Sequence, residues 1–346
     1  MKVAIITDTH YGARKNSKLF HDYFLKFYND IFFPTIDKEG IDTILHLGDA
    51  FDNRTGINFA ALSWAKNNIF DPIKERGINV HLIVGNHDSY YKNTNDVNAV
   101  DLLLREYDNV NVYSEATEIL VDKLKILFVP WINAENEAKT LKLIESSDCK
   151  VSMGHLELAG FAANKQVIIE EGYDRKLFEK FEKVFSGHYH TRSSDGRITY
   201  LGNPYEMFWN DVEDQRGFHI FDTDTLELTT IDNPYRLFYK LYYNDESAPL
   251  FDTRQYKDKI VKVIVRNKPR PKEFERVIDK LYSAGVADLK IIENFGVHEN
   301  EEFEAFETED TLSILNRYIE ESEIDLDKSK IQSIMRQTYQ EACEMI

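Results

Sequence analysis

A chain of 346 residues can build a large core plus one or two smaller units, and a composition of 42% hydrophobic and 13% aromatic residues excludes a disordered chain. Two cysteines exclude a disulfide framework and point to a reducing cytoplasm, and the lack of any long apolar run excludes a membrane span. The net charge of −18 is the wrong sign for a chain that would grip nucleic acid with its own Lys and Arg alone.

The chain starts at once on a strand, "KVAII" at 2–6, with neither the length nor the cleavage site of a secretion signal. Phe20, Phe24, Phe27 and Ile31 then recur at i, i+4, i+7 and i+11, which predicts a helix with Ser17 as its N-cap. A strand at 41–47, a helix over 58–76 and a strand at 78–84 follow, and this alternation predicts an α/β layered fold. His46 and His81 sit inside apolar strands and read as ordinary sheet residues. Further strands are expected at 125–130, 149–153, 183–186 and 198–202, with a hairpin over 217–231. Composition shifts at Asn233-Pro234. A β-α-β block comes next, its helix opened by Pro271 and closed by Gly285. The run "ENEEFEAFETED" at 299–310 has no basic residue and reads as a solvated linker. Two amphipathic helical patterns end the chain; too short to bury their stripes alone, they fold back on the body or dock on a partner. The expected domains are 1–234, 235–297 as a small α+β cap, the acidic linker 298–310 and a helical segment 311–346.

Ligand-type residues gather at the ends of five strands: Asp8 and His10 in "TDTH", Asp49 in "LGDAFDNR", Asn86 and His87 in "VGNHDS", His155 in "MGHLEL", and His188 and His190 in "SGHYHT". Loops at the carboxyl ends of strands in an α/β sheet converge on one crevice, and such a cluster needs a cation. Asp8, His10, Asp49 and His190 form one ligand set; Asn86, His155 and His188 form another, with Asp49 bridging. Imidazole, carboxylate and amide donors without thiolate fit Mn, Fe, Zn or Co better than calcium or a structural zinc. Two such ions clamp a phosphoryl transfer, a hydroxide bridging them being the expected nucleophile, and His87 is then the group that stabilises or protonates the leaving oxygen. Asp52 either orients a ligand or is a surface carboxylate, and Arg54 beside it is equally open. The DNA-contact candidates are Arg14, Lys15, Lys92, Arg266, Lys268 and Arg270, each of which reads equally as a solvated charge. Tyr11, Tyr90 and Tyr189 adjoin the ligand motifs and either stack on bases or pack in the core.

The ordered motifs "DTH", "GDAFDNR", "GNHD", "GHLEL" and "GHYH" resemble those of the calcineurin-like metallophosphoesterases over roughly the first two hundred residues. With "VPW" and "YLGNP" the chain looks like the SbcD-type double-strand-break-repair nucleases, above all the recombination nuclease subunits of T-even-like bacteriophages. Archaeal and eukaryotic relatives commonly carry His where this chain has Asp52; the bacterial and phage branch resembles this chain there. The resemblance implies a β-sandwich flanked by helices, a dinuclear and often manganese-dependent site, double-strand exonuclease action and single-strand or hairpin endonuclease action. It also implies an ABC-type coiled-coil ATPase partner docked by the C-terminal helices, which would share the work of DNA binding, and a homodimer. Tyr23, Tyr28, Phe32 and Phe33 lie off the main stripe of the first helix, consistent with a second burial surface there. The alternatives are a dinuclear phosphatase or small-molecule phosphodiesterase, and a non-catalytic scaffold.

Overall fold

A computed structural model describes residues 1–164, 167–244 and 252–293, together with 319, 328, 330–332 and 334–335. The chain forms two compact units, Met1–Ile292 and Glu293–Ile346. In the first unit β1 (Lys2–Ile6), β2 (Thr43–His46), β3 (Asn79–Ile83) and β4 (Val110–Tyr113) lie parallel. After them come β5 (Thr117–Val121), β6 (Leu124–Val129), β7 (Val151–His155), a small hairpin of β8 (Phe161–Asn164) and β9 (Val167–Ile169), then β10 (Lys183–Gly187), β11 (Ser193–Ser194), β12 (Ile198–Tyr200), β13 (Gly217–Asp222) and β14 (Leu228–Asp232). Apart from the hairpin they assort into two six-stranded sheets, ordered β14-β13-β1-β2-β3-β4 and β11-β12-β10-β7-β6-β5. The 217–231 region is the antiparallel pair β13/β14, as its pattern predicts.

The two-residue period of a strand explains why the sheets stack. Val3 and Ile5 on β1 face one way and share a core with Ile126 and Phe128 of β6, Val151 and Met153 of β7 and Phe185 of β10. Their neighbours Ala4 and Ile6 face the other way, into a layer of aromatic-rich helices. On the far side of the second sheet, Leu127 and Val129 pack with Ile144 and Phe178. Residues up to Asp232 of this unit therefore form a helix–sheet–sheet–helix sandwich, and both sheets turn the carboxyl ends of their parallel strands toward one rim.

The two long helices each contain a π turn with an identifiable cause. The helix α1 runs Lys18–Phe27, Tyr28–Phe32 in π geometry, then Phe33–Glu39; α2 runs Phe59–Ala65, Lys66–Phe70 in π geometry, then Asp71–Glu75. Pro34 and Pro72 sit just past the two π turns. Proline has no N–H and its ring collides with the carbonyl four residues back, and widening the preceding turn relieves that collision. Phe33 N accordingly donates to Tyr28 O, and Asp71 N to Lys66 O, five residues back.

The first helix departs from its sequence pattern in two ways. Ser17 stands at the N-cap position of α1 but its side chain makes no capping bond. The extra aromatic residues of α1 do not form a free second face: Tyr23, Tyr28, Phe32 and Phe33 are all buried within the chain. Tyr23 and Tyr28 meet Tyr205, Phe32 meets Phe218, Phe33 packs on Tyr28 and Phe32, and Tyr23 donates to Tyr235 O. They therefore carry no argument for a dimer.

Beyond Asn233, β15 (Phe238–Tyr243), β16 (Ile260–Val265) and β17 (Asp288–Glu293) form a three-stranded sheet. A further helix, α3 (Pro271–Ala284), packs on it through Phe274, Val277 and Leu281, and Gly285 ends that helix in the left-handed conformation. This block has its own apolar cluster, yet residues up to Ile292 belong to the same compact unit as the sandwich. The reason is its foot. Leu237, Phe238 and Ile260 are buried in the sandwich's helical layer, and the Glu206 carboxylate accepts Leu237 N and Phe238 N at 2.6 and 3.0 Å. Helical backbone recurs at Ile319, Lys328, 330–332 and 334–335 of the second unit. The linker expected at 298–310 and most of 311–346 lie outside the described residues. Among the described residues no helix is long and apolar enough to cross a membrane.

Candidate metal centre

The ligand-type residues named above come from both sheets. Asp8, His10, Asp49, Asn86 and His87 follow β1, β2 and β3; His155 ends β7, and His188 and His190 follow β10. The loops after β1 and β2 stay zipped beyond their strands, Asp8 N donating to Gly48 O, His10 N to Asp49 O and Tyr11 N to Ala50 O. Asp8, His10, Asp49 and His188 all have positive φ, at 52°, 42°, 54° and 83°. A non-glycine residue in this region is strained, and such strain persists only where the surroundings over-determine it. Here the loops must turn sharply so that side chains from two sheets point inward together.

Two glycines make room for this. A Cβ on Gly85 would collide with the Asp49 carboxylate and its backbone N. A Cβ on Gly187 would collide with Thr7 Oγ1 and stand 2.8 Å from Asp8 Oδ2.

Among the described residues, three groups drawn from these side chains bring potential ligand atoms within 4.8 Å of one another: Asp8 with His10 and His190; His10 with Asp49 and His87; and Asp49 with His155 and His188. In the first group His10 Nε2 lies 3.2 Å from His190 Nε2, and His190 Nε2 lies 3.9 Å from Asp8 Oδ1. Asp8 is held by His188 N and by Thr7 Oγ1, which donates at 2.7 Å. In the third, His155 Nδ1 faces Leu47 O at 2.7 Å, so it carries the proton and Nε2 points inward. That Nε2 meets Asp49 Oδ2 at 3.2 Å and Asn86 Oδ1 at 2.9 Å, while His188 Nδ1 meets the same Asn86 oxygen at 3.1 Å. At His155 Nε2 an acceptor thus faces two acceptor oxygens, and a proton or a metal cation must sit among them.

The electrostatics agree. Burial opposes ionisation of Asp49, but the imidazoles of His155 and His87 hold its carboxyl well below the usual range. Burial pushes Asp8 up. Burial would also lower His10 and His155, yet Asp52 and Asp49 at the first, and Asp49 at the second, raise them to about 9. Without metal those two imidazoles therefore hold protons at neutral pH, in the places where divalent cations would satisfy the same acceptors. Burial drives His188 down to about 3, which keeps it neutral and able to ligate. A donor set of imidazole, carboxylate and amide oxygen, with no thiolate, fits divalent metals.

Around this cluster Asp52 and Arg54 have definite places. Asp52 Oδ1 lies 3.4 Å from His10 Nδ1, and the Asp52 carbonyl accepts His87 Nδ1–H at 2.8 Å. Arg54 donates to Asn86 O at 2.9 Å. His87 N donates to Asp49 Oδ1 at 2.8 Å, and its ring stands edge-on to that of His10 with centroids 4.8 Å apart. Tyr11 and Tyr189 are core residues: Tyr11 packs on Phe51, Trp64 and Phe70, and Tyr189 stacks on Tyr200 and donates to Leu158 O. Buried rings offer no face to a base, so the stacking reading fails for both. Tyr90, at 46% exposed, keeps an open face, and Lys92 beyond it is exposed. Arg14 and Lys15 lie in a left-handed turn, with Arg14 5.6 Å above the Phe208 ring, itself stacked against His190. Arg266, Lys268 and Arg270 lie between β16 and α3, outside the histidine cluster; Arg266 sits over Tyr242 and Lys268 over Phe274.

The residue that sequence reasoning missed is Asp88. It is fully buried and ties two ligand loops together, Oδ1 accepting Ala50 N and Phe51 N while Oδ2 accepts Gly85 N. Burial and the Asp49 charge push its carboxyl up to about 7. Its signal was its place in "GNHD", a short acid directly after a turn, where such side chains commonly bond backbone N–H groups.

Residues 1–192 match the calcineurin-like phosphoesterase family. The chain is 30% identical over 287 residues to "Exonuclease subunit 1" of Enterobacteria phage T4, spanning 82% of this chain and 81% of that one. It is 27% identical over 300 residues to "DNA double-strand break repair protein Mre11" of Sulfurisphaera tokodaii, spanning 77% of this chain and 74% of that one.

Proposed function

This chain belongs to the calcineurin-like phosphoesterase family and is a metal-dependent phosphodiester hydrolase, and on that premise we propose that its substrate is DNA, cut as a double-strand exonuclease and a single-strand or hairpin endonuclease. One observation carries the choice of DNA over a small phosphodiester. The likeness to the phage exonuclease spans 287 residues, whereas the catalytic family region ends at residue 192. It therefore extends into the segments that follow the catalytic sandwich.

In this reading Asp8, His10, Asp49 and His190 would hold one ion, and Asn86, His155 and His188 together with Asp49 would hold a second. The ions, with manganese the first candidate and Mg, Fe or Zn the alternatives, would lower the pKa of a water and neutralise charge on the phosphodiester. The protein's own part is positional. Asp52 braces His10 through its carboxylate and fixes the tautomer of His87 through its carbonyl. With Nδ1–H committed to that carbonyl, Nε2 is the His87 atom that carries the exchangeable proton. His87 thus serves as the acid for the leaving sugar oxygen, and as a donor to the phosphoryl oxygens when protonated. Arg54, by holding Asn86 O, fixes the ligand next to His87. The block over 235–297 would act as a cap that guides DNA through Arg266, Lys268 and Arg270, with Arg14, Lys15 and Lys92 nearer the centre. The helical segment 311–346 would dock an ABC-type coiled-coil ATPase, whose surface would supply much of the positive charge that this acidic chain lacks; assembly as a homodimer belongs to the same reading.

The test compares substrates. With Mn²⁺, linear duplex DNA should be degraded far faster than bis(p-nitrophenyl) phosphate. A chain that turned over the small diester or a phosphoprotein while leaving DNA intact would overturn the nuclease reading in favour of a phosphodiesterase or phosphatase.

A further inference from the structure

The "YLGNP" segment plays no part in the chemistry above, yet it closes on a proposed ligand. The carbonyl of His190 accepts Asn203 N at 3.2 Å and also accepts Arg216 Nη1. Gly202, at φ 71°, lies so close that a Cβ there would stand 2.8 Å from the same oxygen. Arg216 is 1% exposed, and both of its terminal nitrogens are engaged inward. Nη1 also meets Asn203 Oδ1, and Nη2 pairs with Asp211 Oδ1 and Asp214 Oδ2, each at 2.9 Å.

Those partners grip both sides of His190. Asp214 Oδ2 accepts Thr191 Oγ1 at 3.0 Å, on the residue directly after the ligand. Asp211 Oδ2 accepts Met207 N and Phe208 N at 2.7 and 2.9 Å, and the Phe208 ring lies 20° from parallel to the His190 ring. Stability alone is a poor reason for such a cluster, because apolar residues of similar size often stabilise as well as a buried ion pair. What an apolar substitute could not do is hold the carbonyl, the next residue and the ring-packing partner of His190 at once. His188 is held by other means, through Asp8 and Asn86.

We propose that Arg216 is a positioning residue that sets the His190 imidazole, and so governs occupancy of the ion position shared by Asp8, His10, Asp49 and His190 while leaving the other position intact. This rests on the reading of His190 as a ligand. The test titrates metal-free full-length protein with Mn²⁺ by calorimetry and electron paramagnetic resonance. The wild type should bind two ions and give a spin-coupled signal. Arg216→Lys keeps the charge and loses the fork; one ion should bind as before and the other about 10- to 100-fold more weakly, with an isolated six-line signal at intermediate Mn²⁺. Fewer than two ions on the wild type would sink the two-metal reading itself. Two ions on the wild type with unchanged affinities in Arg216→Lys, or with both weakened equally, would overturn the positioning role. Should Arg216→Lys not fold, Asp214→Asn, which leaves Arg216 its Asp211 partner, should weaken the same single ion to a smaller degree, and no change there overturns the proposal.

Discussion

Removing the Asp88 carboxylate should loosen two ligand loops at once, and the structure sets the size of the effect. Three backbone N–H groups end on this side chain, from Ala50, Phe51 and Gly85, all in a region closed to water. Leaving a buried donor unpaired costs about 1–3 kcal/mol. Asp88→Ala strands three donors and should therefore cost roughly 3–6 kcal/mol after some relaxation, a large share of the 5–15 kcal/mol typical of a folded domain. Asp88→Asn is the finer probe. Its amide oxygen can keep Ala50 N and Phe51 N, but its NH₂ then faces Gly85 N–H, so one donor is lost and about 1–3 kcal/mol with it. Urea unfolding of both variants in EDTA reads the difference without metal linkage. A loss below about 1 kcal/mol in Asp88→Ala, or equal losses in the two variants, would refute the donor count on which the argument rests.

Three further outcomes are expected. Gly187→Ala would drive a methyl group into Thr7 Oγ1 and Asp8 Oδ2, so Mn²⁺ affinity by calorimetry should fall by at least about 10-fold; unchanged affinity would mean that the loop has slack the geometry does not allow. His87→Ala should lower the DNA cleavage rate by about 10²–10⁴-fold while two Mn²⁺ still bind, because the His87 N–H to Asp49 belongs to the backbone and survives; loss of metal along with activity would make His87 a ligand instead. His219, buried on β13, is driven by burial, with help from Arg192, from 6.5 down to about 3. Its folded form is neutral while its unfolded form binds a proton below 6.5, so its contribution to stability is complete above that pH and is lost as pH falls toward 3. Between pH 6.5 and 5 the loss is about 2 kcal/mol, and His219→Phe should flatten the unfolding free energy by that amount over this range; identical slopes in the two proteins would exclude the assignment.

Much of the site was legible because ligand types are chemically special and their positions followed strands that hydrophobic patterning reveals. The periodicity of Phe20, Phe24 and Phe27 likewise gave the buried face of α1. The π turns were harder to see: Pro34 and Pro72 warned of a broken ladder, but the choice between ending a helix and widening one turn depended on the packing on either side. Asp52 stood open between two roles until folding brought its carboxylate near His10 and its carbonyl onto His87.

The sequence by itself determined the strands that carry the ligand motifs, the first helix and which side chains were fit to hold a cation, since period and donor chemistry are local properties; it did not reveal the strands Val110–Tyr113 and Thr117–Val121. Only the tertiary structure decided that Tyr11 and Tyr189 are core rings, that the extra aromatic face of α1 is spent inside the chain, and that Asp88 and Arg216 lock the ligand loops. Burial and hydrogen-bond partnership depend on segments up to about two hundred residues apart meeting in space, and no local pattern records which of them will meet.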